Sequence, residues 1–357
     1  MSCARLLALA VASLLATAAP AAAAPLDLER VTVSELGAKM ASGELTSVEL
    51  TKAYIDRIAA LNSRGPGLNA VRLLNPDALN DAALLDLERS KTGARGPLHG
   101  VPVLVKDNLD VAGLPTTAGA VALEHSMAPA DSTVVARLRS AGAVILGKTN
   151  LSEFANFLTD GMPSGYSGLG GQVLNALDAD QNPSGSSSGS ATAAAAALAA
   201  ITIGTETSGS IVSPSAAQGI VGLRPTVGLV SRHGIIPIAA SQDTAGPMTR
   251  TVADAAAELA AIAGADPLDP PGALPPGTIP PPPPVLPDYL AGLDPGALAG
   301  KRIGVINNND ANYQAAIAAI HALHAVTTTI DAPQVSAGPQ ILEYEFKKGL
   351  DVYLDHL

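Results

Sequence analysis

Two loops of glycine and serine enclose a short helix–strand unit near the middle of the chain, and this arrangement restricts the fold more than any other feature. The first loop, Pro-Ser-Gly-Ser-Ser-Ser-Gly-Ser, covers residues 183–190, and the second, Gly-Thr-Glu-Thr-Ser-Gly-Ser-Ile, covers 204–211. Between them, an alanine-rich stretch favours a helix at 191–200 and apolar residues favour a strand at 201–204. Such loops taken alone are most often linkers or tight turns, so their meaning depends on the rest of the chain.

Predicted helices and strands alternate along the chain on both sides of this unit. Thr32 with Glu35 and Thr46 with Glu49 form two capping boxes, each followed by a helical pattern. Hydrophobic periodicity predicts further strands at 70–74, 101–105, 143–146 and 301–306, and helices at 76–90, 132–140, 252–263 and 315–325. The alternation predicts an α/β fold with a largely parallel or mixed sheet covered by helices.

The composition is that of a globular chain with a proline-rich connector. Of 357 residues, 47% are hydrophobic and 15% are charged, so the chain can form a sizeable core. Proline is dense from 266 to 287, which indicates an extended surface segment. We therefore assign 25–265 to the core, 266–296 to a connector and 297–357 to a C-terminal part. The net charge of −11 argues against a nucleic-acid partner, because phosphate binding requires a basic face.

Residues 1–24 are predicted to form a cleavable signal peptide. Arg5 is their only charged residue, an apolar stretch follows at 6–15, and small residues at 18–24 suit a cleavage site. A membrane anchor is the weaker interpretation, because Pro20 interrupts the apolar stretch before it reaches the roughly 20 residues of a full span. Cys3, the only cysteine, lies inside this segment. We expect an exported protein, periplasmic or secreted, without disulfides and without stable membrane insertion after cleavage.

The second loop has the properties of a site that binds a developing negative charge. The backbone N–H groups of Thr207, Ser208 and Gly209 can point to one place, and a short helix is expected to begin near Ser210. A serine nucleophile also needs a base, but no histidine lies in a context that suggests one: the six are His99, His125, His233, His321, His324 and His356. Lys106, at the end of an apolar strand, is the alternative base.

The stretch from residue 100 to about 267 resembles the amidase signature family. The similarity lies in Gly-Val-Pro-Val-Leu-Val-Lys-Asp at 100–107, in the two Gly/Ser loops, and in Gly-Ile-Val-Gly-Leu-Arg-Pro-Thr at 219–226. It extends more weakly from Val31 to the chain end. Within the family, the loops and Ser-Gln-Asp-Thr at 241–244 are most similar to the bacterial peptide amidases. The resemblance implies the amidase-signature fold, a central mixed twisted β-sheet with helices on both faces.

The resemblance also implies a role for each residue of the two loops. Lys106 corresponds to the base, Ser186 to a bridging serine and Ser210 to the acylated nucleophile. The backbone N–H groups of the second loop would form the oxyanion hole, and a cis peptide bond would join the residues before and at the bridging serine. The oxyanion residues are Thr207, Ser208, Gly209 and Ser210, and the supporting residues are Gly185, Thr205 and Glu206.

The resulting hypothesis is a serine amidohydrolase that cleaves carboxamide bonds. A lysine acts as a base only when it is neutral, which for Lys106 requires burial that lowers its pKa from about 10.4 towards 7–8. The amine would then draw a proton through Ser186 from Ser210, and an acyl-enzyme would form and hydrolyse. No metal or organic cofactor is required. The substrate would be a small-molecule or peptide amide, with peptide C-terminal amides suggested by the subfamily, and the oligomeric state is open. Glu206 and Asp243 are expected to orient backbone or tune the electric field.

The sequence departs from the family pattern at several positions. Ser184, Ser188 and Ser208 occupy positions where glycine is common, and Val212 occupies a position where arginine is usual. Family members also continue well beyond Leu357. We therefore expect residues 297–357 to be an incomplete C-terminal part of the amidase domain. A truncated, non-catalytic amidase-like binding protein is an alternative function.

Two motifs indicate competing functions. Residues 142–149 match the phosphate-binding pattern G-x-x-x-x-G-K-[ST], but the intervening residues are apolar and predict a strand, so Lys148 is expected to be structural. Residues 185–189 match the G-x-S-x-G nucleophile elbow around Ser187, which would indicate an α/β-hydrolase-type esterase. An elbow requires a strand directly before it, whereas residues 177–183 are typical of a turn.

Overall fold

Helices and strands alternate in the folded chain as the sequence predicts. The computed structural model describes residues 26–158, 161–269, 282–331 and 339–357. Its helices are α1 (Val33–Ser42), α2 (Ser47–Leu61), α3 (Ala78–Thr92), α4 (Thr133–Ser140), α5 (Ser188–Ala195), α6 (Val212–Ala217), α7 (Val252–Ile262), α8 (Ala311–Ala322) and α9 (Pro339–Leu354). Its strands are β1 (Val71–Leu74), β2 (Pro102–Lys106), β3 (Val144–Thr149), β4 (Tyr166–Ser167), β5 (Gly171–Gln172), β6 (Ile201–Glu206), β7 (Val221–Gly222), β8 (Thr244–Thr249), β9 (Arg302–Val305) and β10 (Val326–Thr329).

A six-stranded mixed sheet forms the centre of the fold, in the order β1-β3-β2-β6-β8-β7. β2 pairs in parallel with β3 on one side and with β6 on the other, whereas β1, β8 and β7 join by antiparallel pairing. β4 with β5, and β9 with β10, form two separate two-stranded sheets. The central sheet is flanked by helices, which confirms the predicted fold class. Because β2 and β6 run in the same direction, their C-terminal ends lie at the same edge of the sheet.

The two capping boxes are confirmed and fix the start of α1 and α2. The Thr32 side chain accepts a hydrogen bond from the Glu35 backbone, and the Glu35 carboxylate accepts one from the Thr32 backbone N–H; Thr46 and Glu49 repeat this arrangement. Each box satisfies two backbone donors that would otherwise lack a partner. The apolar face of α2 then joins the core, as predicted, through Leu50, Tyr54 and Ile58.

Helix α5 packs across the middle of the sheet and brings the first Gly/Ser loop to it. It contacts β1, β2, β3, β6 and β8, and its small side chains are almost all buried. A Cβ atom on Gly189 would lie 2.3 Å from the Asn150 carbonyl oxygen, so only glycine allows this close approach. The first loop therefore ends directly beside the C-terminal ends of β2 and β6.

The structure corrects the predicted boundaries of several elements. Helix α5 begins at Ser188 rather than at residue 191, because the serines of the loop are buried and form its first turn. Its end comes earlier than predicted, and Ala197 adopts a positive φ of 52°. Strand β8 was not predicted, because Gly246 and Pro247 lie inside it. Its side chains are nevertheless fully packed between β6 and β7. Helix α9 was not predicted either.

Some predictions lie outside the described residues. The predicted signal peptide at 1–24 is one of them, and so are residues 270–281 of the predicted connector. The division at 25–265, 266–296 and 297–357 stays a prediction. Within the described ranges, no helix combines the length and the apolar character needed to cross a bilayer.

Candidate active site

Lys106 ends strand β2 with its side chain fully buried. Its Nζ lies 2.7 Å from Ser186 Oγ and 2.9 Å from Thr205 Oγ1, with the Thr205 carbonyl oxygen at 3.4 Å. Burial lowers the pKa of Lys106 to about 7, against the opposing effect of the Asp243 and Glu206 carboxylates. Near neutral pH, a large share of this amine is therefore unprotonated and can accept a proton from the serine beside it.

The first loop holds Ser186 through a closely packed backbone. A cis peptide bond joins Gly185 to Ser186, as the family resemblance implied. The Ser186 carbonyl oxygen accepts a hydrogen bond from Ser152 N at 3.1 Å. A Cβ atom on Gly185 would lie 2.5 Å from Ser152 Oγ, so this position requires glycine. Ser184 takes a φ of 59°, and its N–H donates to Asn182 Oδ1 at 2.7 Å. Glycine would adopt that backbone without strain.

Ser187 joins the first loop to the end of β6. Its hydroxyl lies 3.0 Å from the Thr205 carbonyl oxygen and accepts a hydrogen bond from Thr205 N at 3.2 Å. The side chain is fully buried, and the residues directly before the loop form turns rather than a strand. Neither feature fits the exposed nucleophile of an elbow.

Ser210 lies in the second loop and faces an open cleft. Its carbonyl oxygen accepts a hydrogen bond from Ser187 N at 3.2 Å, so the two loops are directly joined. The residue lines the cleft and is 9% exposed. In the part of the chain that the structure describes, no hydrogen bond connects the hydroxyls of Ser210 and Ser186. The structure thus brings all three predicted residues to one edge of the sheet. Lys106 and Ser186 are in hydrogen-bond contact, which is the first contact of the predicted relay.

The backbone N–H groups predicted to form the oxyanion hole are available to a ligand. Among the described residues, no protein acceptor receives the N–H of Thr207, Ser208, Gly209 or Ser210. Gly209 has a φ of +86°, and a side chain there would be strained and close to Ser213. Helix α6 begins at Val212, two residues after the expected position. The loop therefore presents free donors just before a helix N-terminus, an arrangement that suits a negatively charged oxygen.

Glu206 holds the second loop in this conformation. Its Oε2 accepts hydrogen bonds from the backbone N–H groups of Ile211 at 2.8 Å and Val212 at 3.0 Å. Its Oε1 lies 3.1 Å from Nε of Arg224. The carboxylate therefore satisfies the first donors of α6, and the N–H groups of residues 207–210 have no acceptor within the described ranges. This agrees with the expectation that Glu206 orients backbone.

Asp243 fixes the opposite wall of the cleft. Thr207 Oγ1 donates to its Oδ1, and the N–H groups of Ile238 and Ala239 donate to its Oδ2 at 2.9 and 3.0 Å. The carboxylate is surrounded by protein atoms although part of the residue faces the cleft. Desolvation raises the pKa of Asp243 to about 6, against the effect of these hydrogen bonds. Near neutral pH it is charged and acts electrostatically on Lys106.

The cleft in front of Ser210 is narrow, with a volume of about 20 Å³, and its far wall is mostly apolar. That wall consists of the segment from Ile235 to Ile238. Sequence reasoning assigned no role to several cleft residues, among them the wall at 235–238 and Asn108, whose Nδ2 donates to Thr205 Oγ1 at 3.0 Å. Its position two residues after Lys106, in Lys-Asp-Asn, was the only signal for it in the sequence.

Lys148 has a structural environment, as predicted. It lies in strand β3, so residues 144–149 form no phosphate-binding loop. The fully buried amine lies 3.2 Å from Asp107 Oδ1 and donates to the Leu109 carbonyl oxygen at 2.6 Å. Arg72 pairs with the same carboxylate. Of the histidines, His99 is buried, with Nε2 2.9 Å from the Leu85 carbonyl oxygen.

The fold is α/β, and one edge of its mixed sheet carries a buried lysine and two glycine–serine loops. This arrangement is typical of an amidase-signature protein. The chain belongs to the Amidase family, whose family model matches residues 49–337. A putative amidase of Arthroderma benhamiae is 45% identical over 284 residues, which are 79% of this chain and 46% of the relative. A probable amidase of Arabidopsis thaliana is 38% identical over 93% of this chain and 65% of its own length.

Solved structures show the same fold. The native peptide amidase from Stenotrophomonas maltophilia is 50% identical, with a TM-score of 0.85, and the match covers 92% of this chain and 68% of that protein. An amidase family protein from Bacillus anthracis is 40% identical, with a TM-score of 0.83 over 92% of this chain and 66% of that protein. The chain thus spans about half to two thirds of the length of these relatives.

Proposed function

We propose that the chain is a serine amidohydrolase that cleaves carboxamide bonds through Lys106, Ser186 and Ser210. The observation that carries the proposal is the 2.7 Å contact between the buried Lys106 amine and Ser186 Oγ. Membership of the Amidase family and the similarity to a peptide amidase support amide hydrolysis. Peptide C-terminal amides are the substrate class that this similarity favours.

The reaction begins with proton transfer to the lysine. Neutral Lys106 takes a proton from Ser186, and Ser186 takes one from Ser210. The Ser210 oxygen attacks the amide carbonyl carbon, and the negative charge moves to the carbonyl oxygen. The free N–H groups of residues 207–210 stabilise that charge. We expect the Ser186 and Ser210 hydroxyls to form their hydrogen bond when substrate binds, because catalytic hydrogen bonds often tighten only in the substrate complex.

The second half of the reaction returns the proton and releases the acid. As the carbon–nitrogen bond breaks, a proton passes from Lys106 through Ser186 to the departing nitrogen, which leaves as ammonia or an amine. Water then attacks the ester on Ser210, and the relay again accepts and returns a proton. The products are a carboxylic acid and the free enzyme. Besides the substrate and this water molecule, each step uses side chains and backbone groups of the site.

Two further parts of the proposal concern location and partners. The sequence of residues 1–24 supports export to the periplasm or the medium, with no stable membrane insertion after cleavage. The acidic net charge supports a small-molecule or peptide substrate rather than a nucleic acid. The competing esterase interpretation lacks support, because the Ser187 hydroxyl is buried and engaged by Thr205.

The test is amide turnover by the purified chain without residues 1–24. We expect ammonia release from a peptide C-terminal amide, and formation of a hydroxamate when hydroxylamine is added to capture the acyl group. Ser210→Ala should abolish both signals and the acyl adduct seen by intact mass spectrometry. Ser213→Ala, an exposed serine three residues along the chain, is the matched control and should keep them. Turnover that survives Ser210→Ala would refute the mechanism, and a folded chain that binds amides without turnover would favour the binding-protein alternative.

A further inference from the structure

Asn108 carries a buried acceptor that has no partner in the described part of the chain. The residue follows the end of β2, is 6% exposed, and contributes to the wall of the cleft that contains Ser210. Among the described residues, its Oδ1 has no hydrogen-bond partner. An unpaired buried acceptor is destabilising, so its presence beside a candidate active site requires an explanation.

The orientation of the Asn108 carboxamide follows from its neighbours. Nδ2 donates to Thr205 Oγ1 at 3.0 Å and lies 3.5 Å from the Ile236 carbonyl oxygen. Exchanging the oxygen and nitrogen would place two acceptors, Oδ1 and the Ile236 carbonyl, against each other. The backbone is also anchored, since Ile236 N donates to the Asn108 carbonyl oxygen at 2.9 Å. The unpaired atom is therefore the oxygen, held in a fixed position.

Asn108 lines the same cleft as Thr205 and Ser210. Asn108 and Lys106 share one hydrogen-bond acceptor, Thr205 Oγ1. This oxygen accepts a hydrogen bond from Asn108 Nδ2 at 3.0 Å and lies 2.9 Å from Lys106 Nζ. In the proposed mechanism, the departing nitrogen receives its proton from Ser186, which contacts the same lysine amine at 2.7 Å. Bulk water does not reach Oδ1, so this acceptor stays unsatisfied until a donor enters the cleft.

We propose that Asn108 Oδ1 accepts a hydrogen bond from the N–H of the departing amide nitrogen, and that it thereby selects amides over esters. This inference rests on the proposed function. An amide leaving group carries an N–H that can satisfy the oxygen, whereas an ester leaving group presents only lone pairs to it. A site built around an unpaired polar group discriminates against a ligand that lacks the matching partner. The contact also restrains the nitrogen beside Ser186 while the carbon–nitrogen bond breaks.

The experiment compares one acyl group as its primary amide and as its methyl ester, using kcat/KM. In Asn108→Leu, we expect the ratio of amide to ester kcat/KM to fall about ten- to hundredfold. Ser213→Ala, at an exposed serine near the same cleft, is the matched control and should leave both rates and their ratio unchanged. Thr205→Val removes the hydroxyl that orients the Asn108 carboxamide, so it should lower the ratio as well.

The outcomes separate this inference from the proposed function. An unchanged ratio in Asn108→Leu, with both rates lowered together, overturns the inference and leaves the amidase proposal intact. A native chain that turns over neither substrate contradicts the amidase proposal and the inference with it. Asn108→Ala provides a second variant with less steric demand, and circular dichroism and thermal unfolding establish that each variant is folded. The same fall of the ratio in both variants supports the assignment.

Discussion

Lys106 and Lys148 lie on neighbouring parallel strands and extend to opposite faces of the sheet. In the register of β2 and β3, Lys148 is opposite Val105, the residue before Lys106, and successive side chains of a strand alternate between faces. Both amines are fully buried, but Lys106 contacts hydroxyl groups whereas Lys148 contacts the carboxylate of Asp107. Two lysines in one sheet therefore have different chemistry, and their substitutions should have different effects.

Replacing Lys106 should remove activity and preserve the fold. We expect Lys106→Met to lower kcat by a factor of about 10³ or more, because among the described residues Lys106 is the base in contact with Ser186 Oγ. The variant should be at least as stable as the native chain, since it no longer buries a group with a strongly lowered pKa. Amide turnover and thermal unfolding measure the two effects. Substantial turnover by a folded Lys106→Met chain would exclude Lys106 as the base.

Replacing Lys148 should destabilise the fold. Lys148→Met leaves the buried Asp107 carboxylate with Arg72 as its cation and removes hydrogen bonds to Leu109 and Thr116. We expect a loss of roughly 3 kcal/mol in the free energy of unfolding, measured by urea denaturation. Lys39→Met, at a half-exposed surface ion pair, is the control and should cost less than about 1 kcal/mol. Equal stability of the two variants would contradict a structural role for Lys148.

The activity should depend on pH through the Lys106 amine. With a pKa of about 7, the amine is protonated at lower pH, so kcat/KM should fall below about pH 7 and level off above it. The folded-state pKa lies below the unfolded value. Burial of Lys106 therefore lowers the free energy of unfolding at neutral pH. This loss of stability disappears as the pH rises towards 10.5, the ordinary pKa of the amine. A pH profile of kcat/KM for a neutral amide measures the first effect.

Substituting Asp243 tests the electrostatic part of this prediction. The Asp243 carboxylate raises the pKa of Lys106, so Asp243→Asn should shift the acidic limb of the profile to lower pH. The variant should also lose activity, because Asp243 orders the cleft wall and binds Thr207. Glu124→Gln removes an exposed carboxylate and should leave the limb in place. A shift to higher pH in Asp243→Asn would contradict the proposed coupling.

Glu206 should be required for the conformation of the second loop. Glu206→Ala removes the acceptor of the Ile211 and Val212 N–H groups. We expect a loss of about 1–3 kcal/mol in stability and a larger loss in kcat than in KM, because the oxyanion donors act mainly in the transition state. Arg224→Ala removes only the more exposed partner of the carboxylate and should have a smaller effect on both. Kinetics and thermal unfolding of the two variants make the comparison.

Glu258 should reduce stability at neutral pH. Its side chain in α7 is fully buried, and neither carboxyl oxygen has a hydrogen-bond partner among the described residues. Burial, together with the charge of Asp254, raises the pKa of Glu258 well above its ordinary value. The folded chain therefore binds this proton more tightly than the unfolded chain, and stability falls as pH rises from the unfolded pKa towards the folded one.

Glu258→Leu tests this expectation. We expect it to raise the free energy of unfolding at pH 7 by about 1–3 kcal/mol and to flatten the dependence of stability on pH. Denaturation at several pH values between 4 and 8 is the measurement, since this window begins near the ordinary pKa of a glutamate, about 4.3. Ala260→Leu, at an exposed position of the same helix, should leave the pH dependence unchanged. Lower stability of Glu258→Leu at pH 7 would contradict the account.

The sequence predicted much of the central sheet and failed where tertiary packing overrides local preference. β2, β3 and β6 were predicted because each is a continuous apolar run, as buried parallel strands usually are. β8 was missed, because Gly246 and Pro247 are poor strand residues. They form part of a strand because the segment pairs with β6. The start of α5 was placed too late for a related reason: serine and glycine are weak helix formers, and the buried environment of Ser188 and Gly189 compensates.

Sequence patterns were enough to identify the family, the strand that ends at Lys106 and the two loops that contain Ser186 and Ser210. These are local features, since they depend on residue type and spacing within short segments. Folding of the chain was needed to show that Lys106 lies 2.7 Å from a serine 80 residues away, and that Asn108 Oδ1 has no hydrogen-bond partner among the described residues. The physical reason is that burial and hydrogen-bond pairing depend on how the whole chain packs. Desolvation lowers the pKa of the buried Lys106 amine, whereas an exposed lysine stays near its ordinary pKa.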